Sequence, residues 1–488
     1  MTALPQPPKV LVIGGGWAGL AAAITATQQG AQVSLWDMAP TLGGRAKSFN
    51  TPEGPNRDNG QHVLIGAYTE CLRLLRLVGL APEQVLLRTP LDLRFGSGEG
   101  LRLPDTQRGF GAAVLRGLAP WLPAQWPSQL PLAVGLWRSG QGPSQLAWRW
   151  QDRWGLMTTS RRWQSQAWQC PAHQTVADLC TGLPPRIVHD LIEPLCLSAL
   201  NTPLHRASGA VFLRVLQEAL MGPLGASDLL IPKVPLSALW PEAAQAWLRR
   251  HGAQVQSPRR AMALHFVDSA WQVSSTAGTD CFDHIILACP PQEAARLLPQ
   301  GIHPTWLNQA RALRFEAIAT VYVQVEGVPL GPHWLPRPLV ALRTNDQAPA
   351  QFALDRGQLG GPAGELALVV SACPTMDRER LTQAVLAQAQ QLLKAQGGAR
   401  QGPHPAPRLR PLQTLVEKRA TFACTPALQR PGMAIGPGLW ACGDYVEGPF
   451  PATLEGAVRS GVAAAQQAHA ARRTSSLGQD PLTQLSQV

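Results

Sequence analysis

The sequence reads KVLVIGGGWAG over residues 9–19, and this stretch decides the fold of the first part of the chain. Five residues suited to a buried strand run directly into a Gly-x-Gly-x-x-Gly turn formed by Gly14, Gly16 and Gly19. The first glycine allows a tight turn, the second lets backbone approach a phosphate, and the third lets a helix pack on the strand. The stretch therefore predicts a strand, a phosphate-binding turn and a helix.

A second apolar strand is predicted at residues 33–36, and it ends in a carboxylate, Asp37. In a βαβ unit this acid lies beside the first turn, where it can accept hydrogen bonds from ribose hydroxyls. A glycine motif alone is weak evidence, because an ordinary surface turn can have the same spacing. With a strand, a helix and an acid in register, the segment predicts a site for the ADP half of a dinucleotide.

Length and composition limit the class of protein. The chain has 488 residues, 45% of them hydrophobic, which is too long for one core and predicts two interleaved domains. The net charge of +11 favours an anionic partner or surface. No recognised nucleic-acid module is present, so nucleic acid is not expected as a partner and a membrane surface is the better candidate.

The cysteines and the apolar runs predict the compartment. The nine cysteines show neither Cys-x-x-Cys spacing nor a regular framework, which predicts reduced thiols, a cytoplasmic protein and no metal site. The apolar run after Lys9 is interrupted by Gly14, Gly15, Gly16 and Gly19, unlike a signal peptide. No apolar run reaches the ~18 residues that a spanning helix needs. We therefore expect a cytoplasmic protein, peripheral on the inner face of the cytoplasmic membrane.

The order of the predicted elements indicates an α/β fold that is α+β overall. A Rossmann-like nucleotide domain is expected in three parts, at residues 1–95, 235–298 and 411–472. A mixed α+β substrate domain is inserted between them as residues 96–234, mostly helical and membrane-facing, and residues 299–410. Residues 473–488 are expected to be a disordered tail. Within the second part of the nucleotide domain, residues 284–289 predict a parallel core strand that Pro290 and Pro291 stop.

Two further motifs decide between a nicotinamide and a flavin dinucleotide. In residues 43–45, Gly-Gly-Arg, two glycines place Arg45 where it can reach a pyrophosphate, although a surface turn with a solvated arginine is the alternative. The pair Gly443 and Asp444 follows a hydrophobic strand, and a helix is predicted from about Thr453. Its free N–H groups can meet the pyrimidine edge of a flavin. A nicotinamide enzyme needs no such sequence-distant segment, so FAD is predicted.

With these motifs the chain resembles the flavin-dependent amine oxidase and phytoene desaturase superfamily. The matching segments are residues 14–37, 43–45, 284–291, 443–444 and 454–461. Three more segments resemble the squalene-associated branch of that superfamily, the hydroxysqualene dehydroxylases: DNGQH at 58–62, LNTP at 200–203 and KRATF at 418–422. The resemblance covers most of the chain and is weakest between residues 108 and 163.

This resemblance implies a reductive dehydroxylation, in which FADH2 delivers hydride to hydroxysqualene and water leaves, giving squalene for hopanoid biosynthesis. The expected partners are a hydrophobic isoprenoid substrate, membrane lipid and neighbouring squalene-pathway synthases. The residues expected to hold an extended FAD are Gly14, Gly16, Trp17, Ala18, Gly19, Asp37, Met38, Gly44, Arg45, Gly60, Gln61, His62, Ala261, Gly443, Asp444, Thr453 and Leu454.

Three residues are candidates for catalysis, each with a structural alternative. His62 lies beside the expected flavin and is a candidate acid or orienting group, because the leaving hydroxyl needs a proton. The alternative is a histidine that hydrogen-bonds to backbone. Asn201 and Thr202 are candidates for binding the substrate hydroxyl, or they cap a helix that continues to Leu220. The sequence leaves these alternatives open.

The segment from Arg108 to Trp163 has an unusual composition. It holds seven arginines, seven of the 16 tryptophans and a single acid, Asp152. One interpretation is an interfacial patch, since tryptophan lies at headgroup depth and arginine meets anionic lipid. The other is an ordinary helical lid with tryptophans in its core. Four prolines between residues 120 and 131 argue against one long helix and favour the membrane interpretation.

Rival functions share the same fold. A carotenoid-type desaturase would transfer hydride in the oxidative direction with the same flavin site. An amine oxidase is disfavoured because only three tyrosines are present, which leaves little material for an aromatic cage around an amine. A flavin-binding assembly subunit without turnover is the non-enzymatic alternative. The electron donor, the proton donor and the oligomeric state are not readable from the sequence.

Overall fold

The computed structural model describes residues 6–51, 54–105, 148–326, 333–397 and 407–476. Its α-helices, numbered in chain order, are α1 Trp17–Gln28, α2 Thr69–Leu77, α3 Pro82–Val85, α4 Trp150–Ser165, α5 Val176–Leu179, α6 Pro185–Ile187, α7 Glu193–Leu200, α8 Gly209–Leu220, α9 Leu236–Leu239, α10 Pro241–Arg250, α11 Pro291–Leu297, α12 Pro304–Ala312, α13 Arg378–Gly397 and α14 Leu454–Ser476. A π-helix spans Val188–Ile192 and a 3₁₀-helix spans Arg356–Leu359.

The strands are β1 Lys9–Ile13, β2 Gln32–Trp36, β3 Ser48–Thr51, β4 Gly54–Asp58, β5 Leu64–Ile65, β6 Leu86–Thr89, β7 Asp92–Arg94, β8 Gly100–Arg102, β9 Leu229–Pro232, β10 Gln254–Gln256, β11 Ala261–Val267, β12 Ala270–Ser275, β13 Gly278–Phe282, β14 His284–Leu287, β15 Phe315–Glu326, β16 Leu339–Ala341, β17 Phe352–Asp355, β18 Glu365–Val370, β19 Arg408–Phe422, β20 Ala434–Gly436 and β21 Leu439–Ala441.

A six-stranded sheet confirms the predicted α/β fold. Its strand order is β10-β2-β1-β14-β21-β20, and all neighbours are parallel except β20 and β21. In register, Ile13 lies opposite both Trp36 and Leu287, and Leu287 lies opposite Ala441. The carboxyl ends of four strands therefore meet along one edge, where open α/β sheets bind ligands.

Helix α1 covers this sheet and is itself covered by α14. The sequence of α1 is rich in alanine, and its residues Trp17 to Ala26 are all buried. Gly461 of α14 lies so close to α1 that a Cβ there would be 2.1 Å from the carbonyl oxygen of Ala18. The small side chains let α1 and α14 pack backbone to backbone, which holds together the first and last described segments of the chain.

The second domain is built on a five-stranded antiparallel sheet of order β16-β17-β18-β15-β19. Strand β19 crosses the expected domain boundary between residues 410 and 411, because it pairs with β15 from Arg408 to Phe422. Residues 411–422 thus lie in this sheet, and the boundary placed at 410 is wrong. Sequence alternation does not show which of two sheets a strand joins.

The expected tail is also corrected, because α14 continues to Ser476 instead of ending near residue 472. Residues 477–488 lie outside the described residues, as do residues 106–147 of the segment rich in Trp and Arg. None of the helices in the described ranges is both long and apolar enough to cross a membrane.

The helical region between residues 176 and 220 is not interrupted at Pro194. The chain passes from the π-helix at Val188–Ile192 straight into α7, with Pro194 in its first turn. The wider π-helical turn accommodates the missing N–H of the proline. Helix α7 ends at Leu200, because the next residue, Asn201, has a left-handed backbone conformation (φ 47°).

Candidate functional site

One cavity of about 640 Å³ runs from the carboxyl edge of the six-stranded sheet into the second domain. This volume falls within the range of about 300–1,000 Å³ that is typical of ligand sites. Of the residues predicted to hold the cofactor, all except Gly19 line this cavity. The structure therefore brings together residues from the first 62 positions, from Ala261 and from the last segment of the chain.

The glycine turn has the geometry that the motif requires. Gly14 has φ +114°, and a Cβ there would lie 2.6 Å from the carbonyl oxygen of Ala288. A Cβ at Gly19 would lie 1.8 Å from the carbonyl oxygen of Gly14, so Gly19 serves helix packing and does not border the cavity. At Gly16 a Cβ would meet only the Cα of Gly44, at 3.9 Å. Gly16 thus leaves open space for a ligand.

Asp37 is anchored beside this turn at the end of β2. Its carboxylate accepts hydrogen bonds from the backbone N–H of Gly15 (2.6 Å) and of Ala39 (2.7 Å). Each carboxylate oxygen has a further lone pair, and Asp37 lines the cavity. The arrangement can therefore accept from ribose hydroxyls, as the βαβ pattern predicts.

Arg45 is held in a way that the sequence did not predict. Its Nη2 donates to Asp444 Oδ1 at 2.5 Å, and its Nη1 donates to the carbonyl oxygen of Ala420 at 2.6 Å. The pair joins the first and last segments of the nucleotide domain across the cavity wall. The guanidinium thereby first serves to orient Asp444, and any contact with a pyrophosphate would use its remaining donors.

The last segment closes the cavity at the start of α14. Gly443 adopts φ +153°, and its N–H donates to Ser460 Oγ at 2.8 Å. Thr453, one of the residues expected to hold the cofactor, accepts from the N–H of Gly456 at 3.0 Å through its hydroxyl and so caps the helix. Leu454 begins the helix, and both residues line the cavity.

His62 shows the structural alternative that the sequence left open. Its Nδ1 lies 3.2 Å from the carbonyl oxygen of Gly60. Burial lowers the pKa of His62 below its ordinary value, so the imidazole is neutral at pH 7. A neutral ring suits an orienting or accepting role at the cavity wall better than proton donation.

Asn201 and Thr202 differ from each other in position. Asn201 lines the cavity, but both ends of its amide are used: Nδ2 donates to Thr421 Oγ1 (3.0 Å), and Oδ1 accepts from the N–H of Ala372 (2.5 Å). Thr202 is fully buried and does not line the cavity. The hypothesis that Thr202 binds the substrate hydroxyl is therefore wrong. Neither residue caps α8, the helix that ends at Leu220, because α8 begins at Gly209 and Ser208 is its N-cap.

The Thr202 hydroxyl has a structural use that can be tested. It donates to the carbonyl oxygen of Leu200 (2.9 Å) and accepts from the N–H of Cys424 (3.2 Å). We expect Thr202→Ala to lower the free energy of unfolding by about 1–3 kcal/mol, because a buried N–H loses its acceptor. Turnover per bound flavin should stay at the wild-type value. Urea unfolding and single-turnover kinetics check the two parts, and a selective loss of turnover would contradict them.

Away from the sheet edge most of the side chains that line the cavity are apolar. The second domain and the helical region supply its wall, with Leu91, Leu93, Leu101, Leu195, Phe212, Val215, Leu216, Leu220, Leu229, Ile318, Leu339, Phe352, Leu354 and Val369. These side chains come from segments as distant in sequence as β7, α8 and β18. We call this part the apolar lobe.

Two residues at the site were missed by the sequence analysis. Glu417 lines the cavity and accepts from Asn59 Nδ2 at 3.1 Å, which joins the DNGQH segment to the segment around KRATF. Arg259 donates its backbone N–H to the carbonyl oxygen of Asp37 at 2.6 Å and stacks 3.7 Å from the ring centre of Trp36. The Arg259-Arg260 doublet before β11 was the only sequence signal for the second residue.

A family of known proteins matches nearly the whole chain. The model of the flavin-containing amine oxidoreductases matches residues 17–469, which include both domains and most of the residues that line the cavity. The chain belongs to this family. It is accordingly a flavin-dependent oxidoreductase, and the predicted resemblance to the amine oxidase superfamily is confirmed.

Curated relatives within the wider family include hydroxysqualene dehydroxylases. The one from Rhodopseudomonas palustris is 27% identical over 95% of this chain and 99% of its own length. The one from Zymomonas mobilis is 23% identical over 94% of this chain and 98% of its own. A zeta-carotene desaturase from Zea mays is 38% identical, but over only 14% of this chain. Similarity along the full length therefore favours the squalene-associated branch.

Solved structures show the same fold at low sequence identity. A putative protoporphyrinogen oxidase from Exiguobacterium sp. 255-15 has a TM-score of 0.62 at 17% identity and covers 95% of this chain and 99% of its own. Cyclohexylamine oxidase from Brevibacterium oxydans has a TM-score of 0.60 at 17% identity, covering 96% of this chain and all of its own. These likenesses support the architecture of a nucleotide domain with an inserted second domain.

The residues present fit the flavin of this family. Gly16 and Gly44 face each other with no side chain between them, which leaves a backbone-lined cradle at the N-terminus of α1. The first-turn N–H groups of that helix have no intrahelical acceptor and suit a phosphate. Asp37 can hold a ribose, and the start of α14 offers N–H groups at the other end of the cavity.

Proposed function

We propose that this oxidoreductase binds FAD and reduces hydroxysqualene to squalene with loss of water, in the biosynthesis of hopanoids. In each turnover a carbon–oxygen bond breaks, the carbon gains a hydride, and the departing oxygen gains a proton to become water. Bound FADH2 would supply the two electrons with the hydride and would be regenerated by an external reductant. The products are squalene, water and oxidised flavin.

The observation that carries the proposal is the continuity of the cavity. The apolar lobe opens directly onto the edge that holds Gly60, Gln61 and His62, so a long hydrocarbon can lie with one polar group beside the flavin site. An allylic alcohol ionises to a delocalised cation, and the rings of Phe212 and Phe352 in the lobe can stabilise such a cation. The full-length similarity to hydroxysqualene dehydroxylases supports the same substrate.

The test uses holoenzyme that is reduced without oxygen and then mixed with hydroxysqualene. We expect the absorbance of oxidised flavin to return while squalene appears in equal amount, as measured by gas chromatography with mass spectrometry. Bleaching of oxidised enzyme by phytoene would instead identify a carotenoid-type desaturase. Flavin that responds to neither substrate, in a protein that the pathway nevertheless requires, would indicate an assembly subunit.

We further propose that helix α4 meets the membrane from which the substrate comes. Trp150 and Trp154 are 73% and 56% exposed and lie four residues apart, so they share one face of the helix. Arg161 continues this face and is exposed. Tryptophan beside arginine suits the headgroup region of an anionic bilayer. The proposal gives the Trp- and Arg-rich segment a function in its described part.

Vesicles containing phosphatidylglycerol test this surface. We expect the double change Trp150→Ala and Trp154→Ala to weaken binding about 100-fold or more, because each of the two tryptophans loses apolar burial worth roughly 1.5–3 kcal/mol. Phe266→Ala removes an aromatic side chain of comparable exposure (48%) from β11 and is the matched control. Equal binding by both variants in co-sedimentation would contradict the proposal.

A further inference from the structure

Tyr322, in the middle of β15, connects two residues of the DNGQH segment. Its side chain is fully buried. The hydroxyl donates to the backbone carbonyl oxygen of Asp58 at 2.9 Å, and Gln61 Nε2 lies 2.7 Å from the same hydroxyl oxygen. Burial raises the pKa of Tyr322, so the hydroxyl keeps its proton.

The single proton of this hydroxyl determines how the Gln61 amide is oriented. Because the proton is given to Asp58, the oxygen of Tyr322 can only accept toward Gln61. Gln61 must therefore turn its NH2 group toward the tyrosine, since the opposite orientation would place two acceptors against each other. The carbonyl Oε1 is then on the other side of the amide, and within the described ranges no protein donor is bonded to it.

Asp58, whose backbone carbonyl oxygen accepts from the Tyr322 hydroxyl, is itself held in place by several partners. The carboxylate of Asp58 is buried and accepts from Ser48 Oγ (2.7 Å) and from the N–H of Leu236 (2.9 Å). A salt bridge to Arg356 at 3.4 Å adds a third partner. The position of the Asp58 carbonyl, and through Tyr322 that of Gln61, is thereby fixed by the surrounding fold.

We propose that Gln61 accepts a hydrogen bond from the substrate hydroxyl at the place where the apolar lobe meets the polar part of the cavity. Tyr322 is the residue that positions Gln61. The inference rests on the proposed function and specifies how that substrate is recognised. Gln61 lines the cavity between Gly60 and His62. A hydroxyl that donates to Oε1 keeps its own lone pairs free for the proton that it needs in order to leave as water.

The proposed hydrogen bond to Gln61 makes the site bind the substrate more tightly than the product. Squalene lacks the O–H group, so in the product complex the acceptor on Gln61 has no partner. A site that hydrogen-bonds an alcohol in this way binds the corresponding hydrocarbon more weakly. The loss of the hydroxyl during turnover would thus favour release of squalene.

The test measures dissociation constants of hydroxysqualene and squalene for oxidised holoenzyme, in which no turnover occurs, from changes in the flavin spectrum. For Gln61→Leu we expect the preference for hydroxysqualene over squalene, measured per bound flavin, to fall about 10-fold or more. Tyr322→Phe keeps the ring and should reduce the preference in the same direction by a smaller factor. A purely structural role would weaken both ligands equally.

The matched control is Gln324→Leu, on the same strand as Tyr322. Among the residues that the structure describes, Nε2 of Gln324 bonds only to the backbone carbonyl oxygens of Val325 and Ala363. This variant should leave the preference at the wild-type value. An unchanged preference in Gln61→Leu, or a wild-type enzyme that binds both ligands equally, would overturn the inference. Wild-type enzyme that prefers hydroxysqualene but never reduces it would refute the proposed function and leave the inference standing.

Discussion

Replacing Gly16 with valine should lower the affinity for FAD by about 10- to 100-fold and leave the protein folded. The backbone of Gly16 has an ordinary φ of −73°, and a Cβ there would meet only the Cα of Gly44 at 3.9 Å. The side chain therefore fits the protein itself but projects into the cavity beside α1. Overpacking of a fitted site costs roughly 1–3 kcal/mol, and about 1.4 kcal/mol corresponds to tenfold.

Fluorescence titration of the apoprotein with FAD measures this affinity, and circular dichroism checks the fold. Gly432→Val is the matched control, because a Cβ at Gly432 meets no atom within 4 Å and the residue does not line the cavity. It should bind FAD like the wild type. Unchanged FAD affinity in the Gly16 variant would show that the cradle between Gly16 and Gly44 is not the cofactor site.

The second large effect is expected at Glu455, in the first turn of α14. Its fully buried carboxylate accepts from the N–H groups of Glu70 and Cys71, both at 2.9 Å, and from Arg459 Nε at 2.7 Å. Helix α2 has no side-chain cap of its own at Tyr68, so Glu455 caps it from another helix. Glu455→Ala should lower the free energy of unfolding by about 3 kcal/mol, because two buried donors lose their acceptor.

Chemical denaturation of the holoenzyme measures the loss. The control is Glu83→Ala, whose carboxylate forms an exposed pair with Arg76 and should contribute nothing measurable. If Glu455→Ala unfolds at the wild-type denaturant concentration, water replaces the carboxylate at α2 and the cap is not needed.

The nucleotide half of the site could be predicted because its requirements are local. Gly14 needs a backbone conformation that other residues avoid, and Gly19 needs the absence of a Cβ, so both leave a signal in the sequence. Asp37 follows its strand directly, and the chain's own βαβ connection places it beside the turn. The order and spacing of the strands, glycines and acid in residues 9–37 were enough to position all of these groups.

The part of the site where the apolar lobe meets the polar residues could not be predicted in the same way. Thr202 follows Asn201 in a segment that suggested substrate binding, yet the chain turns it into the core against Cys424. Strand β19 has no sequence feature that assigns it to the second sheet, because that choice depends on pairing with β15. The orientation of Gln61 depends on Tyr322, 261 residues away.

By itself the sequence determined the strand–turn–helix with its glycine motif, the acid at its second strand and the segment that closes the cavity. Those features depend on backbone conformation and on spacing within one supersecondary unit, which neighbouring residues specify. Only the tertiary structure decided which polar atoms face the apolar lobe and which are used inside the protein. The reason is that a donor or acceptor that is already bonded to another protein group is not available to a ligand. Here those bonding partners come from strands and helices far apart in the chain.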